Sequence, residues 1–325
     1  MARPPVLVKT KGMSHDEFVA ARSAHPSLGA SDAAAACGLD PWRSRIALFA
    51  DKTGQAPYRE ETDSMEIGLL MEPVVATIFS RRTGFPTRNV NAILQHPQYP
   101  WMTASLDRRT KDDSARWVPL ELKAPNAFKL KEWDDGEVPE HYQLQVQHQL
   151  AVTGDDHGWI GAVIGGQTPR WARIERNEAV IRDLIEIEHD FWHDHVLRGI
   201  PPAVDGSDAT TELLKKLYAE ADEDSAVMWD DTDLEIVRRY WAAHQAMELA
   251  KREKEQEANV LRARLGKAEA AFIPSLKKPL VTWKSGPRTH FDEKAFAAAH
   301  PDLYRQFQRT TYSRTLRPAK LKEDD

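Results

Sequence analysis

Leu120-Glu121-Leu122-Lys123 is the stretch on which the fold turns. Apolar and charged residues alternate as they do in a strand, where residues two apart point to the same side. Glu121 and Lys123 therefore share a face, and Leu122 faces the opposite way. The strand reaches back to Trp117, and Asp107 stands at the end of an earlier predicted strand, Trp101 to Leu106. If the two strands pair, Asp107 approaches the face of Glu121 and Lys123. Two carboxylates beside one lysine are costly without a role or a counter-ion. A hard divalent cation supplies that role. Mg²⁺ takes a few carboxylates together with waters and phosphate oxygens, lowers the pKa of a bound water and offsets charge on the phosphate. The lysine would hold the attacking water and balance the developing negative charge. Any surface hairpin can carry Asp…Glu-x-Lys, so the neighbouring segments decide its meaning.

Upstream, the apolar residues from Ile67 (Leu70, Val74, Val75, Ile78, Phe79) follow a helical period that Gly84 stops, and Glu72 rides on that helix. Extended pieces follow at Val90 to Leu94, Trp101 to Leu106 and Trp117 to Leu122. Downstream, Tyr142, Val146, Gln149 and Leu150 mark a second helix ending at Gly154, and it carries Gln145. His157 to Gly165 has the apolar run of a buried strand, Gly165-Gly166 reads as a hairpin turn, and Trp171 to Ile174 can pair beside it. Ahead of Glu72 lie short helices at His15 to Arg22, Ala33 to Cys37 and Arg45 to Thr53, with Ser31 or Asp32 as a cap for the second. Ala179 to Leu197 is an amphipathic helix, and Pro201-Pro202 closes the compact part. The expected fold class is α/β, a central mixed sheet flanked by helices, over residues 1–204. Residues 205–325 read as a helical extension with a basic C-terminal part, including a helix-compatible run from Leu234 to Phe272.

The 325 residues are 41% hydrophobic and 29% charged, enough for a sizeable core. No apolar run reaches the length of a membrane span. Met1 to Met13 lacks the apolar stretch of a secretory leader, so a cytoplasmic protein with no membrane partner is expected. One cysteine, Cys37, excludes an internal disulfide and a cysteine-based zinc or iron–sulfur site. The net charge of −6 hides a division: eight acidic and no basic residues lie between Glu220 and Glu235, whereas 14 lysines and arginines face 4 acidic residues between Arg262 and Lys322. Nucleic acid responds to such a local field rather than to the total.

The linked motifs resemble a known family. Gly29-Ala30-Ser31-Asp32, Gly68 to Glu72 with a helix ending at Thr83-Gly84, Thr103-Ala104-Ser105-Leu106-Asp107, Leu120-Glu121-Leu122-Lys123-Ala124-Pro125, and Tyr142-x-x-Gln145-x-Gln147 running to Val152-Thr153-Gly154 fall in one order between about Leu28 and Pro202. Together they are similar to the lambda-type exonucleases, in the branch of YqaJ-like viral recombinases, within the PD-(D/E)XK nuclease superfamily. The resemblance implies that Asp107, Glu121 and the backbone carbonyl of Leu122 hold Mg²⁺, with Mn²⁺ able to substitute. It implies that Glu72 completes the metal site, that Lys123 acts on the water, and that Gln145 orients the water or the lysine. Ser31 and Ser105 match positions near a terminal 5′-phosphate, and Arg22 is the candidate phosphate arginine, although its spacing to Ser31 departs from the family pattern. Leu106 stands where the family commonly has proline, which leaves the chemistry untouched.

The function so implied is Mg²⁺-dependent 5′-to-3′ exonuclease action on double-stranded DNA ends in phage-type recombination. A cyclic homo-oligomer and a single-strand annealing protein are the partners implied. A structure-specific endonuclease on the same core is the alternative within the class, and a non-catalytic DNA-binding adaptor is the alternative outside it. Other features have plainer readings. His189, His193 and His195 lie on an amphipathic helix without the carboxylate pattern of a zinc site. Cys37 reads as a buried small residue, His148 as a packing residue, and Pro41-Trp42 as a plug between helices.

Overall fold

A computed structural model describes residues 4–57, 62–222, 225–310 and 314–320. The chain divides into two compact units, Met1–Tyr218 and Ala219–Asp325. Two sheets build the first. One has the order β1-β4-β5-β2, from β1 (Val6–Lys9), β2 (Leu28–Gly29), β4 (Ala92–Gln95) and β5 (Met102–Ser105). The other has the order β3-β6-β7-β8-β9, from β3 (Thr87–Arg88), β6 (Arg108–Lys111), β7 (Trp117–Lys123), β8 (His157–Ile164) and β9 (Thr168–Glu175). In the second sheet β7 and β8 are parallel and the remaining neighbours are antiparallel.

Parallel neighbours need a crossover, and α5 (Glu140–Thr153) is that crossover. The earlier helices are α1 (His15–Ala24), α2 (Ala33–Ala36), α3 (Arg45–Lys52) and α4 (Asp63–Thr83), and α6 (Glu178–Asp190) and α7 (Asp208–Leu217) follow. Helix α4 covers one face of the second sheet: Val75, Ala76 and Phe79 pack on Leu120, Leu122 and Val163. Helix α5 covers the other face and also the first sheet, through Val146, Leu150 and Ala151 against Met102, Ala104 and Leu106. Two glycines of β8 let both helices approach. A side chain at Gly158 would meet Val146 of α5 at 3.1 Å, and one at Gly161 would meet Phe79 of α4 at 3.3 Å.

The mixed α/β core flanked by helices is the class expected from the sequence. Four details differ. The strand ending at Leu106 does not pair with β7; it lies in the first sheet, and the chain crosses to the second at Asp107 and returns along β6. Asp32 does not cap α2. Its side chain accepts from the Gly29 amide at 2.9 Å and pairs with Arg43 (2.7 Å) and Lys52 (2.6 Å), which outcompete a cap. Trp42 is 55% exposed rather than a plug, its ring edge-on to His141. The chain does not leave the compact part after Pro202, because α7 buries Thr210 and Leu213 and packs on α3, so the division falls after Tyr218 and not after residue 204.

In the second unit, α8 (Asp231–Leu265) opens on a capping box formed by Asp230 and Asp233. It stops at Gly266 rather than running to Phe272, because Ala270–Ala271 (β10) pairs with Val281–Thr282 (β11). The short helices α9 (Glu293–Ala299) and α10 (Pro301–Gln306) follow. Of the acidic run, Glu223 and Asp224 lie outside the described residues. No helix among the described residues is long and apolar enough to cross a membrane.

Candidate active site

Asp107 occupies the crossing between the two sheets. The β6–β7 ladder ends with Arg108 opposite Leu120, which leaves Asp107 just beyond it, beside the end of β7 that carries Glu121 to Lys123. Its Oδ2 accepts a hydrogen bond from the Leu122 amide at 2.8 Å. This bond pins the carboxylate beside β7 although its own strand pairs elsewhere. Oδ1 receives no hydrogen bond among the described residues.

On β7, Leu120 and Leu122 are taken up by α4, so Glu121 and Lys123 face α5, as strand alternation requires. Glu121 is buried, and both of its oxygens accept hydrogen bonds. Its Oε1 accepts from Lys123 Nζ and from Gln145 Nε2, both at 2.6 Å, and its Oε2 accepts from Gln149 Nε2 at 2.6 Å. Lys123 Nζ also donates to Gln145 Oε1 at 3.0 Å, which closes a Lys123–Gln145–Glu121 triangle. The ring of Tyr142 lies 5.0 Å from Nζ. Tyr142, Gln145 and Gln149 fall at i, i+3 and i+7 on α5, one stripe of a helix. Sequence reasoning placed Gln149 on this helix without a role. Its spacing of one turn from Gln145 was the signal that could have found it.

Electrostatics follow the crowding. Burial raises the pKa of Asp107 well above the usual carboxylate range, and the charges of Glu121 and Glu72 reinforce it. Glu72 is raised chiefly by burial; Arg108 opposes the shift and Glu121 adds to it. Burial works against the Lys123 ammonium, yet Glu121 and Asp107 hold its pKa above the ordinary value. A cation beside Asp107 and Glu72 would offset the cost of their buried charge. Among the described residues no three His, Cys, Asp or Glu side chains form a ready metal cage. Glu72 lines the same cleft but is not gathered with Asp107 and Glu121 into one. The donors that remain are two carboxylates with backbone and water oxygens, a set that suits Mg²⁺.

Beside this centre opens a cleft of about 330 Å³, lined by Arg22, Gly29, Ser31, Ser105, Asp107 and Glu72, among others. All three candidate phosphate residues thus border the cleft that holds Asp107. A side chain at Gly29 would lie 3.3 Å from the Arg22 guanidinium, so glycine there leaves the arginine its place. Asp32 shapes the turn that carries Ser31: burial opposes its charge, but Lys52 and Arg43 hold its carboxyl well below the usual range. The ring of His148 bridges Glu188 and the carbonyl of Thr103, on the strand that carries Ser105, both at 2.8 Å, and the side chains of His148 and Glu188 are wholly buried. His189 and His193 stack on each other at the surface, 4.1 Å between ring centres, as the amphipathic reading implied. Burial pushes the Cys37 thiol up to about 12.

Residues 17–156 match the family described as the YqaJ-like viral recombinase domain. The chain is 36% identical over 316 residues to the uncharacterized protein YqaJ of Bacillus subtilis (strain 168), covering 96% of both chains. An alkaline exonuclease of Laribacter hongkongensis is 23% identical, with a TM-score of 0.48 over 63% of this chain and 98% of that one. A phage-related exonuclease of Haemophilus somnus 129PT is 10% identical, with a TM-score of 0.40 over 54% of this chain and 97% of that one.

Proposed function

The chain belongs to the YqaJ-like viral recombinase family, and from that premise we propose that it is a Mg²⁺-dependent exonuclease that degrades one strand of duplex DNA from its 5′ end. One observation carries the reading: the Leu122 amide holds the Asp107 carboxylate on β7 next to Glu121, while Glu121, Lys123 and Gln145 close a hydrogen-bonded triangle. Asp107, Glu121 and the Leu122 carbonyl would hold the cation, with Glu72 reaching it through water; Mn²⁺ should substitute. When bound, the ion supplies an acidic water and Lewis-acid stabilisation of the scissile phosphate.

The chain's own residues do the rest. Lys123 has three N–H donors, of which Glu121 and Gln145 take two, leaving one for the attacking water or a phosphate oxygen. Gln145 and Gln149 fix both oxygens of Glu121, so the carboxylate cannot turn. The hydroxyls of Ser31 and Ser105 and the guanidinium of Arg22 border the cleft as donors for a terminal 5′-phosphate. That pocket sets an end-directed reaction apart from attack within a strand.

Closed rings are the geometry in which heterologous interfaces end, and a cyclic homo-oligomer around the duplex, working with a single-strand annealing protein, completes the proposal. End-labelled linear duplex and closed circular duplex, each with and without Mg²⁺, test it. Cleavage is expected only of the linear form, only with the metal, and faster from a 5′-phosphate than from a 5′-hydroxyl. Equal cleavage of the circle would convert the reading to an endonuclease, and no cleavage of either to a binding protein.

A further inference from the structure

The second unit keeps almost no apolar interior: among its described residues Leu265 is the only buried hydrophobic one. Large rings instead stand in solvent. Phe272 is 65% exposed and Trp283 51%, and both flank the two-stranded ribbon of β10 and β11. The Trp283 amide donates to the Glu269 carbonyl at 2.8 Å, which extends the ribbon and fixes the backbone under the indole. Between the strands lie Lys277 and Lys278, and Lys284 follows Trp283. All three are exposed and form no ion pair among the described residues. Further along, Phe291 is 72% exposed and Phe307 79%, with Arg288 and Arg309 nearby in sequence.

Unpaired cations interleaved with exposed rings match a ligand that has both phosphates and free aromatic faces. A duplex offers the phosphates but hides the base faces in its stack. A single strand offers both, because bases stack on aromatic side chains while the backbone follows the positive charge. We infer that the ribbon Glu269–Lys284 of the second unit is a single-stranded DNA-binding site, separate from the carboxylate–lysine centre. That the strand is DNA rests on the exonuclease reading, whose reaction leaves such a strand. The site itself rests on the ribbon's exposed rings and free lysines.

The test uses the full-length chain in chelator, where no cleavage intervenes, with closed circular single-stranded DNA, which has no end for the cleft. Trp283→Ala should weaken binding of the circle roughly tenfold, and Trp283→Phe should restore most of it. Lys277→Gln, Lys278→Gln and Lys284→Gln together should flatten the salt slope of log affinity by about 2, at about 0.7 per contact on a single strand. Closed circular duplex should bind more weakly and ignore Trp283→Ala, and all three variants should cleave short linear duplex at the normal rate. Unchanged affinity for the circle would overturn the site. Equal loss on duplex circles would overturn its single-strand character, and a changed native mass in the variants would make the ribbon an interface between copies instead. Wild-type protein that binds the circle but cleaves no linear duplex would sink the exonuclease reading and leave the site standing.

Discussion

Asp107 is buried with two further carboxylates, Glu121 and Glu72, close by. Its pKa is raised by burial and by those neighbours, so its folded value lies above its unfolded one. Such a group contributes stability below the unfolded pKa and loses it as pH rises through the folded pKa. Without divalent cation, thermal stability should therefore fall as pH rises through the raised values of Asp107 and Glu72. Asp107→Asn should flatten that fall and raise Tm at neutral pH by roughly 2–4 °C, the effect of about 1 kcal/mol in a unit of this size. The same substitution should cut the cleavage rate by at least roughly 100-fold. Melts across pH, with and without Mg²⁺, together with single-turnover rates check both halves; a variant that is less stable and fully active would refute them. Asp32 runs the other way. Its depressed pKa means stability that is present above the usual carboxylate range and lost as pH falls. Asp32→Asn leaves Lys52 without its ion-pair partner and Arg43 with only its longer pair to Asp51, and should cost about 3 kcal/mol in denaturant unfolding.

Helix α5 is the element on which the site depends. It is the crossover that makes β7 and β8 parallel, and its Tyr142–Gln145–Gln149 stripe faces Glu121 and Lys123. Its other apolar residues fill the space between the two sheets. Gln149→Met keeps the length of the side chain and removes the donor to Glu121 Oε2. Gln149 Oε1 has no partner in its buried position, so the change removes one unsatisfied polar atom and leaves another, Glu121 Oε2, and stability should change little. Activity should fall roughly 10- to 100-fold, with more Mg²⁺ needed for half-maximal rate, as when a group that orients a metal ligand is lost. A rate loss with unchanged metal dependence would limit Gln149 to packing. The helix, its end at Gly154 and Gln145 were legible from apolar spacing and a stop signal. The role of Gln149 was not, because its place on the helix period marks it only as a packing position until the carboxylate it faces is known.

At the scale of the whole molecule, the division after Tyr218 gives truncation a sharp expectation. A chain ending at Tyr218 should keep α7 on α3, whereas one ending at residue 204 loses buried Leu213 and the Thr210–Asp205 hydrogen bond of 2.6 Å. The shorter chain should melt several degrees lower, as thermal scans of the two can establish; equal melting would mean α7 adds nothing to the first unit. Local chemistry alone determined most of the helices of the first unit, the strands β7 to β9, the shared face of Glu121 and Lys123, and the charge contrast within the second unit. Each of these depends on spacing within one segment or on composition. Only the tertiary structure decided that Asp107 reaches the Leu122 amide of β7 by crossing between sheets and not along a paired strand, that the serines and Arg22 border its cleft, and that α7 belongs to the first unit. Those outcomes depend on which strands pair and which helix faces meet across long stretches of chain, and such pairing is set by the packing of the whole core, which no single segment carries.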